Sequence, residues 1–170
     1  MSAPTLDDED LRQARQIFDW VRAGQEAPIA SLLAQGLPAN LLNDKGDSLL
    51  MLAAYHGHME VARLLLEHAG DPDLRNDRGQ TPLAGAVFKG DVAMVKLLLQ
   101  HGAQVDGRMA DGKTPLMMAA MFNRVELLQL LADRGADAQV RDGAGMDAAE
   151  LATRMNAVDA VAWLQERKRP

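Results

Sequence analysis

The chain reads as an all-α solenoid of about five stacked helix–turn–helix units with extended, hairpin-like finger loops, and three observations predict it. Gly46, Gly79, Gly112 and Gly145 recur every 33 residues, and two positions after each stands a helix-capping residue: Ser48, Thr81, Thr114 and Asp147. Apolar columns keep the same step, with Ala53, Ala86, Ala119 and Ala152 in one and Leu32, Leu65, Leu98, Leu131 and Leu164 in another. A third column, Gly24, Gly57, Gly90, Asn123 and Asn156, holds the two residue types that best tolerate the left-handed backbone ending a helix. Units of this length bury their apolar sides on one another, and the work of such a stack is usually to present a surface.

The units fall at 12–44, 45–77, 78–110, 111–143 and 144–170, after an acidic segment, 1–11, expected to be frayed and solvated. In the first unit Gln16–Val21 replaces the usual helix start and precedes Pro28–Leu33, with Phe18 and Trp20 closing the end of the core. The second starts at Ser48 and carries its apolar stripe on Val61–Leu66. Its Ala69-Gly70 inverts the Gly102-Ala103 order of the next unit, so the loop is either strained at the alanine or shifted by one residue. In the third and fourth, Thr81-Pro82 and Thr114-Pro115 put a side-chain oxygen at the N-cap and a ring-fixed φ at the first helical position. These helices run to about Phe88 and Phe122, where Gly90 and Asn123 stop them. Gly85 lies inside a helix at a cost of about 0.5–1 kcal/mol relative to alanine, which makes the middle unit the softest. The last unit pairs Met146–Ala152 with Val158–Leu164, and Gln165–Pro170 runs into solvent as a basic end suited to the helix dipole.

Composition narrows the function. At 170 residues and 48% hydrophobic the chain makes one well-buried domain. Without cysteine there is no disulfide, thiolate metal site or cysteine nucleophile, which fits a reducing, cytoplasmic setting. A net charge of −6 disfavours nucleic acid, although residues 78–110 carry four Lys/Arg against two Asp while 1–77 carry six against thirteen acids. The start has no basic segment followed by an apolar one, so no secretory signal is expected, and no run is long enough to span a membrane.

Gly79-Gln80-Thr81-Pro82-Leu83-Ala84-Gly85-Ala86 and Gly112-Lys113-Thr114-Pro115-Leu116-Met117-Met118-Ala119-Ala120 resemble the G-x-T-P-L-H-x-A-A motif of the ankyrin repeat. Gly57–Leu65 resembles that family's second helix, G-H-x-E-V-V-x-L-L, and Arg134-Gly135-Ala136-Asp137 and His101-Gly102-Ala103 resemble its G-A-D loop. The likeness covers about 12–167, with three clear central repeats and degenerate end repeats of the kind that cap such stacks. The motif histidine is replaced by Met51, Ala84 and Met117, so apolar packing must stand in for the inter-repeat hydrogen bonding that it implies.

No reaction chemistry is expected. His56-Gly57-His58 lacks the further ligands of a tetrahedral metal site, and His58 matches a structural position of the repeat. His68 and His101 share a column at a helix end and are expected to cap terminal carbonyls. Ser31 and Ser48 have no nucleophile elbow around them, Asp71-Pro72-Asp73 reads as turn chemistry, and Gly143-Ala144-Gly145 lacks the strand and lysine of a phosphate loop. The chain is therefore expected to be non-enzymatic, with no catalytic, cofactor or metal residue.

Two surface columns remain. Arg75, Arg108 and Arg141 recur in three units; the resemblance implies that they lie on the fingers, where they would meet a partner's carboxylates or pair with nearby aspartates such as Asp73, Asp77, Asp106, Asp111 and Asp142. Tyr55-His56, Phe88-Lys89 and Met121-Phe122 end the first helices, positions that in ankyrin repeats line the concave side. Tyr55, Phe88, Met121 and Phe122 would then form an apolar strip flanked by Lys89, Lys113 and the arginines. The expected function is a monomeric module binding another protein, one with an acidic or mixed-charge patch, through its concave face and fingers. The alternative is an inhibitor or immunity-type protein that occludes an enzyme's active site.

Overall fold

Helix formation starts from the caps. The computed structural model describes residues 8–167. The Ser48, Thr81 and Thr114 hydroxyls accept the backbone N–H three residues ahead, from Met51, Ala84 and Met117, at 3.0, 3.2 and 3.3 Å. Asp147 does the same for Glu150 at 2.9 Å while the Glu150 carboxylate accepts the Asp147 N–H at 2.8 Å, a reciprocal capping box. All four caps are buried between repeats, so an unsatisfied helix N-terminus there would carry the full desolvation penalty.

The described residues form ten helices: α1 Asp8–Arg22, α2 Glu26–Ala34, α3 Leu49–His56, α4 Met59–Glu67, α5 Pro82–Lys89, α6 Val92–Gln100, α7 Pro115–Met121, α8 Val125–Asp133, α9 Ala148–Arg154 and α10 Val158–Arg167. Odd-numbered helices pack on one another in the order α1, α3, α5, α7, α9, and even-numbered ones form a second layer in the order α2, α4, α6, α8, α10. The expected all-α solenoid of five units is what the chain adopts. α1 starts earlier than the first unit's expected boundary, because Asp8–Leu11, placed in the frayed lead-in, form its first turns. Residues 1–7 and 168–170, which hold the rest of that lead-in and the end of the basic tail, lie outside the described residues.

One continuous core runs the length of the stack. Leu49, Leu83, Leu116 and Ala148 sit two residues or fewer after the caps, and Leu65, Leu98, Leu131 and Leu164 line the second layer, all buried. Met51, Ala84 and Met117 are buried where the motif histidine would stand, which is the apolar substitution expected from the sequence. Phe18 joins this core and Trp20 packs against it, so the first unit closes one end.

The left-handed column behaves as its residue types require: φ is +68° at Gly24, +76° at Gly57, +75° at Gly90, +55° at Asn123 and +56° at Asn156. At Gly90 close approach adds a second demand, since a Cβ there would run into the Arg124 guanidinium. The inverted pair resolves in favour of strain, with Ala69 itself at φ +64°. The register is unshifted: the Ala69 and Gly70 N–H groups donate to the Leu66 and Leu65 carbonyls at 3.3 and 2.8 Å, as Gly102 and Ala103 do to Leu99 and Leu98.

Fingers are joined laterally by one column of side chains. Asn40, Asp73 and Asp106 accept the backbone N–H of Asp71, Gln104 and Asp137 in the following repeat at 2.7, 2.9 and 3.1 Å. The Asp71 carboxylate meanwhile accepts the Asp73 N–H at 2.9 Å, so Asp71-Pro72-Asp73 is turn chemistry. At three finger tips an Asx side chain closes the turn: the Asn43, Asn76 and Asp142 oxygens each accept two backbone N–H groups, from Lys45 and Asp47, Arg78 and Gln80, and Ala144 and Met146. The finger of the middle repeat has Met109 in this column, where the Met109 N–H donates to the Lys113 carbonyl at 2.9 Å and Asp111 Oδ1 accepts the Lys113 N–H at 3.1 Å, one side-chain bond in place of two.

Candidate functional site

The last turns of the odd-numbered helices, each ended by a left-handed residue, hold their final side chains in register one repeat apart. Tyr55 and Phe88 are the next-to-last residues of α3 and α5, while Phe122 is the C-cap of α7; they are 41%, 45% and 41% exposed. The Tyr55 and Phe88 rings lie 6.5 Å apart and nearly parallel at 11°, and Phe122 meets Phe88 edge-on at 5.4 Å and 84°. Lys89 Nζ sits 4.8 Å over the Tyr55 ring. The other exposed large apolar residues, Leu11, Leu42, Met155 and Val158, are not members of this row. Met121 is half-buried and packs against the core, and its neighbour Phe122 supplies the third ring.

A groove of about 580 Å³ opens between this row and the fingers of the first three units. Tyr55, His56 and Phe88 form one wall, the finger residues Lys45, Arg78 and Met109 the other. Leu52, Gly85 and Met118, from α3, α5 and α7, share one column and make its floor. His56 stands among cations, and burial first, then the charges of His58, Lys89 and Arg22, push its imidazole below the ordinary histidine value.

The arginine column has partners that neither sequence reading named. Arg75 donates from Nη1 to the Arg108 carbonyl, and Arg108 donates from Nη1 to the Arg141 carbonyl at 3.2 Å, so each guanidinium ties its finger to the next. Arg141 ends the series on the Gly145 carbonyl at 2.6 Å and the Glu150 carboxylate at 2.9 Å. All three side chains remain exposed, and none lines the groove. Lys113 is also held on its finger, 2.7 Å from Asp111 Oδ2 and 3.9 Å from Asp142 Oδ2. Burial pushes the Asp111 carboxyl up, but hydrogen bonds from the Lys113 side chain and amide, with its charge, bring it below the ordinary value. Of the expected flanking cations, Lys89 is the one that reaches the rings.

Three of the four histidines meet backbone carbonyls. His58 Nε2 lies 2.8 Å from the Arg22 carbonyl of the preceding unit, and Nδ1 of His68 and of His101 meets the Leu64 and Leu97 carbonyls at 2.8 and 3.0 Å. Among the described residues no group of three or more His, Cys, Asp or Glu side chains is placed to hold a metal ion, and no helix is long and apolar enough to cross a membrane.

Sequence reading missed Arg22, Lys45, Arg78, Gly85 and Met109 as groove residues. Signals existed for three of them. Arg22 is in the column of Tyr55 and Phe88, and from the second unit onward Gly85 breaks a column of Leu and Met, while Met109 breaks one of Asn and Asp.

Comparison with known proteins agrees with this architecture. A family model described as ankyrin repeats (3 copies) matches residues 18–109 and again 86–169. Over 61 residues the chain is 56% identical to a protein of Pseudomonas aeruginosa described as an ankyrin repeat protein. That stretch is 36% of this chain and 36% of the relative, so the chain covers little more than a third of that protein's length.

Proposed function

Because the chain belongs to the ankyrin repeat family, whose repeats are general protein–protein interaction modules, we propose that it binds another protein through the groove face and adjoining finger loops. The carrying observation is the row Tyr55, Phe88 and Phe122, three large rings left two-fifths exposed and in mutual contact on a face that is otherwise built to repeat. Ring packing alone does not require that exposure, and contiguous exposed aromatics beside cations are the composition of interface hot spots. Docking on a preformed stack needs little reordering, so most of the contact energy goes into affinity. In this reading the protein works as a monomer in the cytoplasm and without catalysis. The partner's matching surface is acidic or of mixed charge, since Lys89 lies over the Tyr55 ring and Arg22, Lys45 and Arg78 line the groove with Tyr55 and Phe88.

The test is affinity capture with wild type and with Tyr55→Ala/Phe88→Ala/Phe122→Ala, followed by titration of the recovered partner against both. Removal of hot-spot rings is expected to weaken binding at least ~30-fold. Equal affinity for the triple variant, with its helical spectrum intact, would remove the groove face from the function.

A further inference from the structure

The floor of the groove is missing one side chain. Leu52, Gly85, Met118 and Leu151 occupy the same position of successive repeats, and Leu52 and Met118 are both buried there. Between them α5 presents only the Gly85 backbone. A Cβ added at Gly85 would meet nothing closer than Tyr55 Cδ2 at 3.9 Å, so the space above the helix is open. Gly85 has ordinary helical φ, so neither a turn nor a close backbone contact calls for glycine, and it is a weak helix former in that place. Tyr55 and Phe88 line this space and Met109 stands across it on the finger, where it cannot accept the two backbone N–H groups that Asn76 and Asp142 take in the neighbouring fingers. Two breaks in the repeat, both against local stability, thus meet at one apolar notch. Concentrated violations of local rules mark functional sites.

The mouth of the notch is cationic. Lys45 and Arg78 are exposed on the finger wall with no ion pair among the described residues, while Arg22, at the same end, is paired with Asp19 at 2.9 Å. Of the two carboxylates in the lining, Asp44 is exposed, and Asp47 is buried with its oxygens accepting from Asn43 and Asn76.

We propose that the notch over Gly85 is a socket for one apolar side chain of leucine or methionine size, carried by a partner polypeptide segment with carboxylates on either side of it. The proposal rests on the groove being the binding face and adds the chemistry of its occupant. The apolar side chain replaces the one that the repeat omits, contacting Leu52 and Met118 with Tyr55 and Phe88 at its flanks. The carboxylates answer Lys45 and Arg78.

The experiment selects random dodecapeptides on the full-length protein, then measures the affinity of a synthetic selected peptide by fluorescence polarisation. The expected consensus is a Leu or Met between Asp or Glu residues. Gly85→Met, which copies Met118, should keep or raise the melting temperature and weaken the peptide at least ~10-fold, as should Lys45→Glu/Arg78→Glu. Replacing the peptide's apolar anchor by serine should do the same to wild type. As a readout that needs no variant, methyl resonances of Leu52 and Met118 in the wild type should shift on peptide addition. Peptides that depend on Tyr55 and Phe88 but bind Gly85→Met equally well would overturn the socket and leave the groove reading standing. A basic or anchorless consensus, no enrichment, unmoved Leu52 and Met118 methyls, or self-association of the chain through this face would each overturn it as well.

Discussion

Repeats 78–110 and 111–143 have the same backbone plan and differ in how they use it. In the later repeat the column positions follow their local rules: Met118 fills the groove floor, Asp142 closes the finger turn, and Arg124 reaches back to donate to the Phe88 carbonyl at 3.2 Å. In the middle repeat Gly85 leaves the floor open and Met109 leaves the finger tip with the single Asp111–Lys113 bond in place of two. Asp91 stands at the reach-back position and turns to its own helix, capping α6 at Met94 N–H with 3.0 Å. One repeat therefore favours cohesion along the stack and the other favours a shaped surface. Single positions of a 33-residue column decide which.

Four measurements sharpen or break that contrast. The largest effect is expected at the joint between the two repeats, for Gly90→Ala. The new Cβ meets the Arg124 guanidinium, whose Nε is already buried without a hydrogen-bond partner, and φ stays at +75°. A loss of about 2 kcal/mol in urea unfolding is expected, and a loss below a few tenths would mean that the joint relaxes freely. Met109→Asn should restore the finger-tip turn and raise stability by about 1 kcal/mol, read from the same unfolding midpoint. Gly85→Ala should raise it by about 0.5–1 kcal/mol, because the open floor admits a methyl without a clash. If both of these changes destabilise, the middle repeat is not the softer one.

The smallest effect is in pH. Burial and the charges of His58, Lys89 and Arg22 hold the His56 imidazole below its ordinary value of 6.5, so as pH falls through 6.5 the unfolded chain takes up a proton that the folded chain refuses. Stability contributed by the neutral imidazole is present above that pH and is lost on acidification. His56→Asn should flatten the slope of stability against pH between 7.5 and 5.5, and an unchanged slope would show that other groups set it.

Much of this molecule was legible because its determinants are local. Thr81-Pro82 and Thr114-Pro115 start helices by a side-chain bond spanning three residues, and Asn123 and Asn156 end them by backbone preference. The inverted Ala69-Gly70 pair was legible down to its two outcomes, and the helix end kept the register of the next repeat, which put the strain on Ala69. The arginine column was visible as a column but its partners were not. A side chain as long as arginine can reach an aspartate in its own finger, a partner, or the neighbouring finger's backbone, and the lateral spacing of fingers chose the last. Gly85 was visible as a helix weakness, yet the groove it opens depends on rings and fingers from other repeats.

By itself the sequence determined the period, the caps, the helix ends and the buried columns, since each rests on bonds or preferences reaching a few residues along the chain. Tertiary structure alone decided which charges are occupied and where the surface is hollow. Those properties depend on distances between residues some 30 positions apart, set by how tightly one finger and one helix pair seat on the next.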